Sequence, residues 1–237
     1  MRFAACYKRS DFRPHLRFAS SGNPTWGYFL AEIVRPQRPS PCRVHAFFDG
    51  QNLFHAVQRA FGYTFPNYDP LRLAEAVVGL TPERQLVQVH HYTGIPSRHR
   101  NPKWHRFWSA KVRAMAASGV RVVTRTLRYF NEPVRLPDGT VRVVEVAREK
   151  GIDLRLALDL LRLARQGAFD CALVFSQDGD LAEAVQEVNS LRMELSRWLV
   201  VDCAFPDAPR AWGIAGAKPL RFDKRLYDTA IDPSSYF

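Results

Sequence analysis

From Val44 onward the chain alternates short runs rich in β-branched and aromatic residues with segments whose apolar residues recur at helical spacing. This alternation limits the fold more than any single motif, because strands separated by helices pair in parallel and need helices over both faces of the sheet. The strands read from it are Val44–Phe48, Leu86–Tyr92, Val120–Leu127, Cys171–Ser176 and Leu199–Cys203. The helices are Asn52–Phe61, Pro70–Val78, Pro102–Ala117, Asp153–Gln166 and Leu181–Asn189. In the Asp153 helix, Leu154, Ala157, Leu158, Leu161 and Ala164 read as the face packed on the sheet, with Gly167 as its stop. One stretch departs from the alternation. Pro137-Asp138-Gly139 lies between two runs of period two, Val134–Leu136 and Val141–Val143, and predicts a β-hairpin inserted beside the sheet edge.

At 237 residues the chain is long enough for one such α/β domain with a large core. Residues 1–42 read differently: Pro24, Pro36, Pro39 and Pro41 interrupt any period, and seven basic residues face two acidic ones. They are expected to be a poorly ordered basic extension, either a nucleic-acid arm or a dispensable tail, leaving residues 43–237 as the domain.

In an open parallel sheet, ligands bind outside the carboxyl ends of the strands. The first strand ends on Asp49-Gly50-Gln51-Asn52 and the fourth on Ser176-Gln177-Asp178-Gly179-Asp180, while Lys150-Gly151-Ile152-Asp153 places an acid at the start of a helix. Asp49, Asp153 and Asp178 each have an alternative reading as a helix cap. Capping cannot account for both Asp178 and Asp180, and carboxylates brought together normally need a cation or a shared proton. Hard oxygen donors without zinc-type Cys or His spacing suit Mg²⁺ or Mn²⁺. The chemistry such a site performs on a polyanion is metal-assisted phosphodiester hydrolysis.

The charge supports a polyanionic partner. Lys and Arg number 34 against 23 Asp and Glu, for a net charge of +11. Between Glu83 and Glu132 there are ten basic residues and no acid, whereas the remainder of residues 43–237 sums to −4. Within that segment Arg98 and Arg100, after a strand's carboxyl end, are candidates to hold a phosphate backbone. Trp104, Phe107, Trp108 and Met115 share one helical face and read as core in preference to a base-stacking platform. His90 and His91 point to opposite faces of their strand, so at most one can serve a site.

Cys6, Cys42, Cys171 and Cys203 form no paired spacing, which fits a reducing compartment. No apolar run is long enough to span a bilayer. The expectation is a cytoplasmic protein without membrane association, and nothing in the sequence excludes a homo-oligomer.

Three ordered segments together resemble the NYN domain, a branch of the PIN-like nuclease superfamily. They are Phe47-Phe-Asp49-Gly-Gln-Asn52-Leu-Phe54, Lys150-Gly-Ile-Asp153-Leu-Arg-Leu-Ala157-Leu-Asp159-Leu, and Phe175-Ser-Gln-Asp178-Gly-Asp180-Leu. Leu220–Asp232 looks like a C-terminal segment of some bacterial members. The resemblance implies a Rossmann-like three-layer sandwich with a mostly parallel sheet and Mg²⁺-dependent ribonuclease activity on single-stranded or structured RNA. Asp49, Asp153, Asp178 and Asp180 would be catalytic metal ligands, Asn52 would hold a water or phosphate oxygen, Ser176 would orient an acid, and Lys150 would contact substrate. Asp159 matches a recurring acid but lies on another helix face, where a structural role is expected. Gln177 stands where the family more often has glycine. Some members of the superfamily cleave poorly, so the alternative is a catalytically weak RNA-binding or protein-interaction module with the same fold.

Overall fold

The structure is a computed structural model and describes residues 36–148 and 150–236. The expected basic extension lies outside the described residues as far as residue 35. β1 (Cys42–Asp49), β2 (Arg84–Ile95), β3 (Arg121–Thr126), β6 (Cys171–Phe175), β7 (Val200–Pro206) and β8 (Lys218–Phe222) form one sheet in the order β3-β2-β1-β6-β7-β8. Every neighbouring pair in it is parallel. β4 (Arg128–Arg135) and β5 (Val141–Arg148) form the separate antiparallel hairpin. It is longer than the sequence suggests, and its turn closes where Leu136 N–H donates to Thr140 O at 2.8 Å.

Strand alternation splits the core in two. Val44, Ala46 and Phe48 of β1 pack with α1 (Gly50–Phe61), α2 (Pro70–Val78), Met115 of α3 (Pro102–Ala117) and Tyr227 of α6 (Lys224–Thr229). Phe47, on the opposite face, packs with α4 (Ile152–Arg165) and α5 (Ala182–Glu194). The molecule is therefore a three-layer α/β sandwich with helices on both faces of a parallel sheet. Among the described residues, no helix is long and apolar enough to cross a membrane.

Two expectations need correction. The face of α4 packed on the sheet is Ile152, Leu156, Leu160, Leu163 and Ala164, whereas Leu154 and Leu158 are 61% and 54% exposed. α4 carries leucines on both sides, so spacing alone fits two phases; burying Ile152 next to the Gly151 turn selects one. Also, two of the ten charges in the acid-free segment are interior. Arg84 pairs with Asp202 at 2.6 Å and Lys111 with Asp232 at 3.1 Å, both cations being almost fully buried.

The sequence elements also omitted β8 and α6, which close one sheet edge and cover part of the core. The segment after α6 is stitched in: Lys111 Nζ donates to Tyr68 O at 2.9 Å, Tyr68 bridges Ile231, and Asp232 N–H donates to Asn67 O at 2.8 Å.

Candidate functional site

The strand order reverses direction between β1 and β6. The chain builds outward from β1 through β2 to β3, then returns to lay β6 on the other side of β1. A crevice opens at such a switch point, outside the carboxyl ends of the two strands. Asp49 ends β1 and Ser176 follows β6, so both motifs fall at this place.

Asp49 is buried and caps α1, its Oδ1 accepting the Asn52 N–H at 3.2 Å. Its Oδ2 accepts from the Ser176 hydroxyl at 3.0 Å. Burial raises the Asp49 carboxyl to about 6, against the lowering effect of those two hydrogen bonds, and the neighbouring charges of Asp178 and Asp153 raise it further. Gly50 follows for a steric reason. A Cβ there would lie 2.7 Å from His91 Cε1 and 2.9 Å from Tyr92 O, so the Asp-Gly pair reflects close approach of α1 to β2 more than turn flexibility.

Asp178 caps a short 3₁₀ turn, its Oδ1 accepting Asp180 N–H at 3.0 Å, and its own N–H donates to Ser176 Oγ at 3.1 Å. Asp153 lies in the first turn of α4. The cap is Gly151, with φ at +76°, so Asp153 makes no capping bond. Asp49, Asp153 and Asp178 line one pocket together with Gln51, Asn52 and His55. Asp180, exposed, lines an adjoining cleft with Asp153, Glu183 and Glu187 between α4 and α5. Glu183 was not singled out from sequence, although its place two residues beyond Asp180-Leu181 puts it on the same helical turn.

Four carboxylates thus reach one edge of the sheet without packing into a tight set. Among the described residues no three His, Cys, Asp or Glu side chains are close enough to hold a metal ion between them. Hard carboxylate oxygens two or three to a pocket, open to water, match a cation that keeps much of its hydration, not a closed protein cage.

Around these acids, Asn52 lines the pocket and its Oδ1 accepts the Gln177 N–H at 2.8 Å, which leaves its amide NH₂ as a further donor. The Gln177 side chain turns away and donates to Trp212 O at 2.8 Å. Lys150 is exposed just before the Gly151 turn. Arg125 is a cation the sequence did not single out: a Cβ on Gly151 would lie 4.0 Å from its Nη1. On the far side of Asn52, a cleft holds Arg59, Arg210 and Trp212, the last 70% exposed. Arg98 is exposed. Arg100, also exposed, pairs with Glu145 of the hairpin at 2.6 Å, and its guanidinium carbon sits 5.8 Å from the Tyr129 ring centre.

Asp159 is buried away from the cleft, accepting from Tyr92, Arg155 and Arg162 at 3.1, 2.9 and 3.1 Å. The strand histidines are interior. His90 Nε2 lies 3.2 Å from His45 Nδ1, and His91 Nε2 shares a 3.0 Å hydrogen bond with the Tyr68 hydroxyl.

The Low amplitude and bright protein LabA of Synechococcus elongatus is 27% identical over 156 residues, covering 66% of this chain and 73% of that protein. A crystal structure of a protein of unknown function from Vibrio parahaemolyticus superimposes with a TM-score of 0.47 at 18% identity, covering 82% of this chain and 99% of that one. The family model of the NYN domain matches residues 43–208, a span that contains all three acidic segments, and the chain belongs to the NYN domain family.

Proposed function

We propose that the protein is a metal-dependent ribonuclease, hydrolysing phosphodiester bonds of single-stranded or structured RNA in the cleft between β1 and β6. The observation that carries this reading is the meeting of Asp49, Asp153 and Asp178 in one pocket at the switch point of an NYN chain. NYN domains are in general nuclease-like, with a PIN-like fold.

A largely hydrated Mg²⁺ or Mn²⁺ would sit in the pocket lined by Asp49, Asp153 and Asp178, reached by them in part through its water shell, with Asp180 on the outer wall adding negative charge. Such an ion supplies a more acidic water and charge neutralisation at the phosphate. The chain's own residues do the positioning. Ser176 fixes the Asp49 carboxylate, the Asn52 amide faces the place a phosphate oxygen would occupy, and Lys150 and Arg125 stand beside the acids. Arg59, Arg98 and Arg210 provide positive surface on either side, which a carboxylate site needs in order to hold a polyanion. The described cysteines Cys42, Cys171 and Cys203 are free and buried, which fits action in the reducing cytoplasm.

A second reading rests on one specific observation. Because no three acids stand within ligating reach of one another among the described residues, the same surface also suits an RNA-binding or protein-interaction module with little turnover. Cleavage of end-labelled RNA in Mg²⁺ or Mn²⁺ by the wild type and by Asp178→Asn separates them. Metal-dependent cleavage lost in Asp178→Asn supports the nuclease. Binding without cleavage supports the module, and equal cleavage by both proteins rejects the site.

A further inference from the structure

We propose that the cavity beside the acidic cleft is a subsite for one unpaired nucleobase of the RNA strand, an inference that rests on the ribonuclease reading above. The cavity measures about 290 Å³ and is walled by Phe54 of α1, Trp104 and Trp108 of α3, and Tyr129 of the hairpin. Gln51 and His55 line both this cavity and the pocket of Asp49, Asp153 and Asp178. The two spaces therefore share a wall.

The sequence places Trp104, Phe107, Trp108 and Met115 in the core, and for Phe107 and Met115 that is where they lie, at 2% and 5% exposure. The two tryptophans are only half-buried and open into the cavity. A concave aromatic wall next to a phosphate-chemistry site matches the flat, π-faced, partly polar surface of a nucleobase, because stacking does not depend on base identity. The volume sits at the small end of ligand pockets, suited to one base and too small for a base pair. Polar groups for a base edge are at hand. Asn101 Oδ1 accepts the Trp104 N–H at 3.2 Å, leaving its amide NH₂, and Gln51 and Thr64 complete the rim.

The hairpin wall is braced rather than floppy. The Tyr129 hydroxyl accepts the Ser97 N–H at 3.0 Å, while Arg100 lies over the Tyr129 ring and is itself fixed by Glu145. The inserted hairpin thus has a use: it turns an aromatic helix face into a pocket. A base seated there would be extruded from any helix, so the site would favour unpaired over duplex RNA.

Binding is measured with uncharged probes, so that the acids and any metal play no part. NMR titration of the full chain with adenosine, uridine and ribose should show both nucleosides binding and ribose not. Trp108→Leu, and separately Phe54→Leu, should each weaken nucleoside binding by about tenfold or more, with the melting temperature of each variant reporting whether the fold survives. Cleavage of a single-stranded oligonucleotide should fall about tenfold when the base beside the cut is replaced by an abasic ribose, and this dependence should vanish in Phe54→Leu. RNA cleavage indifferent to the abasic residue, with no nucleoside binding, overturns the base pocket and leaves the nuclease reading intact. Nucleoside binding that requires Trp108 and Phe54, in a protein that cuts no RNA, upholds the pocket and rejects the nuclease. Tighter binding of N-acetyltryptophanamide than of either nucleoside would mark a docking site for a protein side chain and overturn the proposal.

Discussion

Ser176 and Asp49, 127 residues apart, are joined by a 3.0 Å hydrogen bond from the serine hydroxyl to Asp49 Oδ2. That bond connects the ends of β1 and β6 across the switch point and holds a buried carboxylate at the floor of the cleft. A fold that buries an acid beside two others stores electrostatic cost there, and that cost can be measured.

Asp49 has its folded value raised from 3.8 to about 6, so its ionisation opposes folding. Its stabilising influence is complete below pH 3.8 and is lost as pH rises through 6. In metal-free buffer Asp49→Asn should therefore gain stability over wild type progressively between about pH 4 and 6. The gain should level off near 3 kcal/mol above that, because asparagine keeps both the cap and a partner for Ser176. Mg²⁺ should raise the wild-type melting temperature at pH 7.5 and leave that of Asp49→Asn unchanged. Paired melts across pH check both statements; a constant difference between the two proteins would contradict them.

The buried histidines act in the opposite sense. Burial lowers His45 to about 4 and His90 and His91 to about 3. Each therefore contributes stability that is present above pH 6.5 and is lost as pH falls toward the folded values. Between pH 6 and 4 all three act in the same direction and outweigh the single opposing carboxylate. Urea midpoints at pH 7.5, 6 and 5 should drop steeply, and His90→Phe should make the drop shallower.

Gly50 and Gly179, which follow Asp49 and Asp178, differ in what surrounds them. Gly50→Ala should cost about 1–3 kcal/mol, since the added methyl meets the Tyr92 carbonyl at 2.9 Å. At Gly179, where a Cβ would meet nothing within 4 Å, alanine should be close to neutral. Equal effects in denaturant titration would mean that α1 does not approach β2 as described.

The phase of α4 is open to direct test. Leu156→Ala, which removes a fully buried side chain, should cost about 2–5 kcal/mol. Leu158→Ala, more than half exposed, should change stability by less than about 0.5 kcal/mol. Reversed costs would restore the face read from spacing.

RNA affinity should depend on salt. With about four to six phosphates engaged, log affinity should fall against log salt with a slope of roughly −3 to −4 for a single strand. Arg59→Ala and Arg210→Ala should each flatten it. A slope near zero would show that the basic clefts do not hold the backbone.

Much of the fold was legible because strand and helix periods in this chain are clean and the three acidic segments sit at strand or helix ends. The phase of α4 was not, since leucines at two sets of positions satisfy the same spacing and only packing chooses between them. β8 and α6 gave little signal: Lys218–Phe222 carries Lys, Pro and Arg among five residues, as an edge strand tolerates. In the site, sequence identified Asp49, Asp153 and Asp178 as neighbours but gave no indication that Asp180 faces the next cleft, because the Asp178 cap turns the backbone between them. Net charge concealed the loss of Arg84 and Lys111 to interior pairs, and the positions of Arg125, Arg59 and Arg210 near the cleft depend on contacts far apart in sequence.

Lys111 sits in the interior with Asp232 as its counter-ion, and Tyr68 and Asn67 are held by the backbone at 231 and 232. Lys111 thus takes its ion-pair partner from a residue made 121 positions later. A nascent chain that has emerged only through the acidic motifs would hold an ammonium group without its carboxylate and a sheet without β8. The domain should therefore complete its folding after synthesis has passed Asp232, and a ribosome stalled earlier should carry it in a protease-sensitive form, with the acidic motifs already translated but not yet locked in place.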